Sequence, residues 1–464
     1  MSEVVQPWQL RASFAQRLST LYGTEVPAYN MLLEVSGEVN ANVLRQQGAE
    51  AERLGSIDRV TAERHGAIRV GTPQELAEVA RIFGALGMYP TGFYDLRDAV
   101  PAPIPVVSTA FRPVDSVELA RNPFRVFTSM LVPEDRRFFS PGLGKRLSRF
   151  LAARTLFPDE LLALADHAEA EQGLPQADAE RFLELAVQAF ALSREPVDRI
   201  WYSELEAVSS VAADIGGVTT THINHLTPRV LDIDDLYQRM SDRGITMIDR
   251  IQGPPRWRGA DILLRQTSFR ALAESRRFRE PDGAVVEGSL RVRFGEVEAR
   301  GLAPTPVGRD KYEAMILETD RRAVSDPERS RAEHMAQVWR EQFPTTELDL
   351  AQQDLAYFTF RINDARPRDG QPPTSLATLL SESWIIAEPI VYEDFLPRSA
   401  AGIFSSNLTS QGEVDTSAGE APRDRAWMSG AIARDIADPS DLYAAQRDAS
   451  LEQIQREFGL QKIN

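Results

Sequence analysis

Two of the five histidines stand at matching points of a repeated pattern, and histidines placed that way can build a metal site. The first copy reads His65-Gly66-Ala67-Ile68-Arg69-Val70, and the second reads His225-Leu226-Thr227-Pro228-Arg229-Val230. Both are H-x-x-x-R-V. Each is followed by a helical pattern, starting at Thr72-Pro73-Gln74-Glu75 and at Asp234-Asp235-Leu236. Each then reaches a Ser/Thr-rich strand ending in Phe-Arg, with Phe111 46 residues after His65 and Phe269 44 residues after His225. A duplicated unit with a histidine at each equivalent point suggests one metal site shared at a pseudo-twofold interface.

A carboxylate must complete such a site. If Arg291 to Glu298 is a strand, Phe294, Glu296 and Glu298 share one face, while Arg291, Arg293 and Gly295 share the other. Two carboxylates on an inner face are costly unless a cation lies opposite. His65, His225 and one of these glutamates would form the two-histidine, one-carboxylate facial triad of non-haem Fe(II) oxygenases. Equally, the glutamates could pair with Arg291, Arg300 or Arg229 on a solvated sheet face.

His222 and His225 form an H-x-x-H, but on a strand odd spacing sends the two to opposite faces. His225 is chosen as the ligand because it matches His65. His222 is then a rim or supporting residue, or a satisfied core histidine. His167 and His334 lie in charged helical sequence and are expected to be solvated. Arg69 shares the face of His65, roughly 13 Å along the strand, where its fork could bind the far carboxylate of a diacid. A structural ion pair, for instance with Asp95, is the competing expectation.

The rest of the chain must position these residues. At 464 residues, several domains and a large core are expected. A formal charge of −16 argues against nucleic acid and anionic membrane surfaces. The absence of cysteine excludes disulfides, thiolate metal sites and cysteine nucleophiles. No apolar run is long enough to span a membrane, and no signal-like segment opens the sequence, so the expected location is the cytoplasm. There is no Walker A, no dinucleotide fingerprint and no G-x-S-x-G elbow.

Periodicity divides the chain into helices over 1–64, a first repeat over 65–131, a helical insertion over 132–215 and a second repeat over 216–304. The second repeat is read as starting in Val218-Thr219-Thr220-Thr221 and ending in a Leu290–Glu298 strand. A helical region over 305–385 follows. Residues 386–464 carry β segments at Ile390–Tyr392 and Ala400–Phe404, a polar loop over 405–422 and a helical tail.

Several long blocks resemble, in order, the 2-oxoadipate dioxygenase/decarboxylase family, also called 2-hydroxyglutarate synthase, within the vicinal oxygen chelate superfamily. They are Glu63 to Thr72, His222 to Arg229, Leu263 to Phe269, Arg293 to Gly301 and Val391 to Phe404. The resemblance implies an α+β fold of duplicated βαβββ modules forming a central, partly open β-barrel sheet, with large helical insertions. It implies a mononuclear Fe(II) site with His65, His225 and Glu296 as ligands, Glu298 in support, Arg69 binding substrate and Ser399 as a further substrate contact. The implied reaction takes a 2-oxo dicarboxylic acid, 2-oxoadipate, and O2 to 2-hydroxyglutarate and CO2, fits a late step of lysine breakdown and gives the D product. Val297, Ala299 and Arg398 depart from the usual pattern without removing an implied ligand. Two other readings stay open: a metal-dependent lyase or isomerase of the same superfamily, or a non-enzymatic binder of 2-oxo acids.

Overall fold

The computed structural model describes residues 4–54, 65–99, 103–367, 370–396 and 419–464. The fold is α+β, with mixed sheets among many helices and no closed barrel among the described residues.

The largest sheet has five strands, in the order Tyr89–Asp95, Val106–Arg112, Arg125–Leu131, His65–Val70 and His225–Thr227. Neighbours are antiparallel except for His65–Val70 and Arg125–Leu131, which run parallel. A parallel pair needs a crossover. Here it starts with the Pro73–Ala85 helix, where Thr72 accepts from the Glu75 amide at 3.1 Å and Glu75 reaches back to the Thr72 amide at 3.2 Å.

The second half of the chain uses a related order. Its Glu296–Arg300 strand pairs antiparallel with Leu264–Ser268, and Arg229 bridges Glu298 in parallel. Backbone bonds Val230 N to Glu298 O (2.8 Å) and Glu298 N to Pro228 O (3.2 Å) tie the segment after His225 to the glutamate strand. Antiparallel bridges Gln252–Gln266 and Met247–Phe269 continue the order outward. Between Pro228 and these bridges lies the Ile233–Asp242 helix, whose first amides bond to Asp232 at 3.0 Å.

Three expected elements differ. Residues 218–224 form no strand: Thr221 bonds to the Arg69 carbonyl, Asn224 bonds to Asp214 and approaches His222, and the strand begins at His225. The expected Leu290–Glu298 strand is divided: Val285–Leu290 closes a hairpin with Glu274–Arg279, and the glutamate strand starts at Glu296. The region over 305–385 is helical with a strand at Phe358–Ile362, which pairs with Ile385–Pro389, while Val391 makes an isolated bridge to Leu302. The Ala400–Phe404 segment and most of the polar loop lie outside the described residues.

One large apolar cluster spans the N-terminal helices, the five-stranded sheet and the insertion. A smaller one joins the 305–385 region to the C-terminal helix through Trp339, Tyr357, Tyr443 and Ile454. At the heart of the first, the fully buried Tyr22 of the Pro7–Glu25 helix donates toward two carbonyls, Asn224 O at 3.0 Å and Phe294 O at 2.8 Å. These carbonyls stand just before His225 and two residues before Glu296. Tyr22 therefore sets the spacing of two segments that meet at the site. We expect Tyr22→Phe, which keeps the ring and removes the donor, to cost about 1–3 kcal/mol in denaturant unfolding. Loss of less than about 0.5 kcal/mol would show that this link carries no stability.

Candidate metal centre and the residues around it

Register decides which side chains meet. Across the antiparallel pair, His65 faces Thr227 and Ala67 faces His225, so both histidines project from one face of the sheet. Across the parallel pair, His65 aligns with Arg125, Ala67 with Phe127 and Arg69 with Ser129. Glu296, Glu298 and Arg300 alternate along one face of their strand. The parallel bridge at Arg229–Glu298 brings that face beside His225.

The result is a buried group. His65, His225 and Glu296 can each offer one ligand atom, all within 4.8 Å of one another. His65 Nε2 lies 3.3 Å from Glu296 Oε1, and His225 Nε2 lies 3.7 Å from Glu296 Oε2. The two imidazoles stand nearly perpendicular, 82° apart, with centroids 5.6 Å apart. Phe395 packs edge-on to His65 at 4.9 Å, and Phe294 stacks on His225 at 5.2 Å. These rings fix the imidazole planes and keep the surroundings apolar.

The electrostatics ask for a cation. Burial, reinforced by neighbouring Glu298, raises the Glu296 carboxyl above its ordinary range, although His65 opposes the shift. Burial above all, with Arg69 nearby, pushes His225 well below its ordinary value, so the ring is neutral and can act as a ligand. Both nitrogens of His65 and Nδ1 of His225 are buried without an aligned hydrogen-bond partner. Buried polar atoms are ordinarily satisfied, and an ion held by Nε2 of both rings and by Glu296 would take up the unpartnered His65 Nε2. The donor set therefore fits a divalent transition metal that favours imidazole and carboxylate.

Glu298 behaves differently from its neighbour. Burial alone would raise its carboxyl, but Arg300, His65 and Arg125 hold it well below the ordinary range. Arg300 grips both oxygens, Nε to Oε1 and Nη2 to Oε2, each at 2.6 Å. Arg125 Nη2 lies 3.4 Å from Oε1. The remaining approach is to His65 Nδ1, at 3.2 Å from Oε2. A carboxylate on Nδ1 orients the ring and leaves Nε2 toward Glu296, the arrangement that supports metal-bound histidines.

Arg69 is buried and forms an ion pair with Asp214 rather than with Asp95, which instead pairs with Arg97. His222 does not join the group. It is buried beside Asp214 and Asn224, and its pKa is lowered to about 3, with burial the main cause. His167 is exposed as expected. His334 is not: it is buried, with Nε2 2.9 Å from Asp326 O, because the Arg331–Gln342 helix turns that face inward. Ser399 lies outside the described residues.

Several neighbours were not singled out in the sequence. Arg125 and Phe127 reach the site through a register that no local motif encodes. Phe395 lies within a block that drew notice for its resemblance and not for its ring. Asp214 did leave a signal, as a lone acid in the small and apolar Ser-Val-Ala-Ala-Asp-Ile-Gly helix.

Comparison with known proteins identifies the family. A family model described as 2-oxoadipate dioxygenase/decarboxylase matches residues 14–407. A 2-oxoadipate dioxygenase/decarboxylase of Mycobacterium tuberculosis is 56% identical over 448 residues, 96% of this chain and 98% of that one. The Pseudomonas putida protein of the same name is 40% identical over 462 residues, 97% of each chain. In structure, the chain is similar to hydroxyglutarate synthase from Pseudomonas putida in complex with 2-oxoadipate. The TM-score is 0.84 at 38% identity, over 99% of this chain and 100% of that one. The chain belongs to the 2-oxoadipate dioxygenase/decarboxylase family.

Proposed function

We propose that this protein is an Fe(II)-dependent dioxygenase/decarboxylase that converts 2-oxoadipate and O2 into 2-hydroxyglutarate and CO2, a reaction suited to lysine breakdown. The observation that carries the reading is the buried group of His65, His225 and Glu296, in which His65 Nε2 lacks an aligned partner. The complex of the Pseudomonas putida relative with 2-oxoadipate supports the substrate class. We read the two related strand orders as duplicated βαβββ modules over 65–131 and 216–304, with helical segments around them and a terminal unit over 386–464.

In this reading His65, His225 and Glu296 hold the metal on one face, as in a two-histidine, one-carboxylate triad. Fe(II), when bound, supplies the redox chemistry that lets O2 react with a 2-oxo acid. The remaining work falls to the chain. Phe395, Phe127 and Phe294 keep bulk water from the reacting end, which strengthens every charge interaction there. Glu298, fixed by Arg300, sets the direction of His65. Arg69, on the same face as His65, receives the far carboxylate and so places the keto end toward the metal. Ser399 contributes a further polar contact to the substrate.

Overall activity is tested by adding 2-oxoadipate and O2 to anaerobically reconstituted Fe(II) protein and measuring CO2 and the five-carbon product. Product formed without O2 would instead indicate a lyase or isomerase, and stoichiometric binding without turnover a binding protein. We expect His65→Ala, His225→Ala and Glu296→Ala each to abolish activity and lose bound iron. His222→Ala should retain its iron. Glu298→Gln should bind iron about 10- to 100-fold more weakly yet still load at saturating metal. Full metal content in all three ligand variants would place the centre elsewhere.

Arg69→Ala should retain iron and lose on the order of 2–4 kcal/mol of transition-state binding, a roughly 30- to 1,000-fold fall in kcat/KM. Arg69→Lys should recover part of it, because a point charge cannot form the fork. Wild type should prefer 2-oxoadipate strongly over 2-oxohexanoate, and Arg69→Ala should lose most of that preference. An unchanged diacid-to-monoacid ratio would leave Arg69 a structural residue.

A further inference from the structure

Arginine carries about 2 kcal/mol of rotamer entropy, and a long flexible side chain aimed at a distant carboxylate would have to be ordered at each binding event. Here it is already ordered. Arg69 Nη1 donates to Asp214 Oδ2. Thr221 Oγ1 donates to the Arg69 carbonyl at 2.7 Å and fixes its backbone.

Asp214 is itself held. Asn224 Nδ2 donates to Asp214 Oδ2 at 2.9 Å and lies 3.1 Å from His222 Nε2. His222 Nε2 is also 3.4 Å from Asp214 Oδ1. The shorter contact makes Nε2 an acceptor, which agrees with a ring kept neutral by burial. All four residues are at least nine-tenths buried. Asp214 sits in the Ser210–Gly216 helix, every residue of which is buried, so its backbone has little room to shift. Burial would raise its carboxyl, but the charge of Arg69 and the hydrogen bonds from Arg69 and Asn224 hold it below its ordinary range.

We propose that Asp214 is the positioning residue that aims the Arg69 guanidinium at the far carboxylate of the substrate, with Asn224 holding Asp214 and His222 accepting from the Asn224 amide to fix it in turn. The inference rests on Arg69 being the substrate arginine, and it assigns the diacid specificity to a four-residue assembly. Two effects oppose each other. The Asp214 charge offsets that of Arg69 and would weaken attraction for a second carboxylate, while its contact pre-orders the fork. In a buried pocket a charge-assisted contact depends on alignment, so the ordering effect dominates and removal of Asp214 weakens binding of the diacid.

The test is anaerobic calorimetry on the Fe(II)-loaded protein, where binding is read without turnover. Asp214→Asn should raise Kd for 2-oxoadipate roughly 3- to 10-fold. It should leave Kd for 2-oxohexanoate within about twofold and iron content unchanged. Equal loss for both ligands would make Asp214 merely structural, and unchanged or tighter diacid binding would also overturn the proposal. Should Asp214→Asn fail to fold, Asn224→Ala should shift the same ratio by a smaller factor, and an unchanged ratio there refutes the assembly. Arg69→Ala, measured alongside, separates the two levels. If that variant keeps the diacid preference, the assignment of Arg69 has failed and the proposal falls with it. If it loses the preference while the Asp214 and Asn224 variants keep it, the proposal alone has failed.

Discussion

Burying two carboxylates on one face of one strand is the constraint that organises this molecule. Glu296 and Glu298 are both buried and stand one pleat apart. Their charges repel, and neither has the solvent that would screen it. The protein neutralises them in different ways. Glu298 receives the complete fork of Arg300, with Arg125 close by. Glu296 receives two imidazoles, one of them pushed toward its neutral form, and so retains an uncompensated charge where a metal fits. That difference suits Glu296 to the ligand role, and Glu298 to the supporting one, in the proposed centre.

A surrounding shell of buried arginines follows from the same constraint. Arg125 bonds to Glu393 as well as approaching Glu298, and Arg112 pairs with Asp394, which also accepts from Tyr443. Arg300 donates to the carbonyls of Tyr392 and Asp394. These bonds fasten the 391–396 segment over the sheet, which seats Phe395 against His65 and Phe127. Breaking one member leaves buried charges unpaired, a cost of several kcal/mol. The shell is therefore rigid, and rigidity is what a metal centre requires of its surroundings.

Much of the site was legible in the sequence because the repeat carries geometric information. Matching His65 with His225 predicts that they share a face, and the register between Ala67 and His225 places them there. The E-x-E spacing predicts that Glu296 and Glu298 share a face. It does not say which one holds a metal, since that depends on Arg300 turning back along its own strand and on Arg125 arriving from another. The 218–224 stretch is β-like in composition, yet its polar side chains bond to the Arg69 carbonyl and around Asp214. His334 looked solvated because its immediate neighbours are charged, whereas the helix places it on the inner face. Tertiary partners decided each of these cases, and periodicity along one segment does not contain them.

The proposed centre is one metal ion between His65, His225 and Glu296. Anomalous diffraction at the iron edge, from crystals grown anaerobically with Fe(II), tests it most directly. A single peak per chain is expected at coordination distance, about 2.0–2.2 Å from Nε2 of both histidines and from a Glu296 oxygen. The Glu298 carboxylate should remain on Arg300 and outside that shell. A peak at His222 and Asp214, a peak bound by Glu298, or no peak at full iron occupancy elsewhere in the crystal would contradict it.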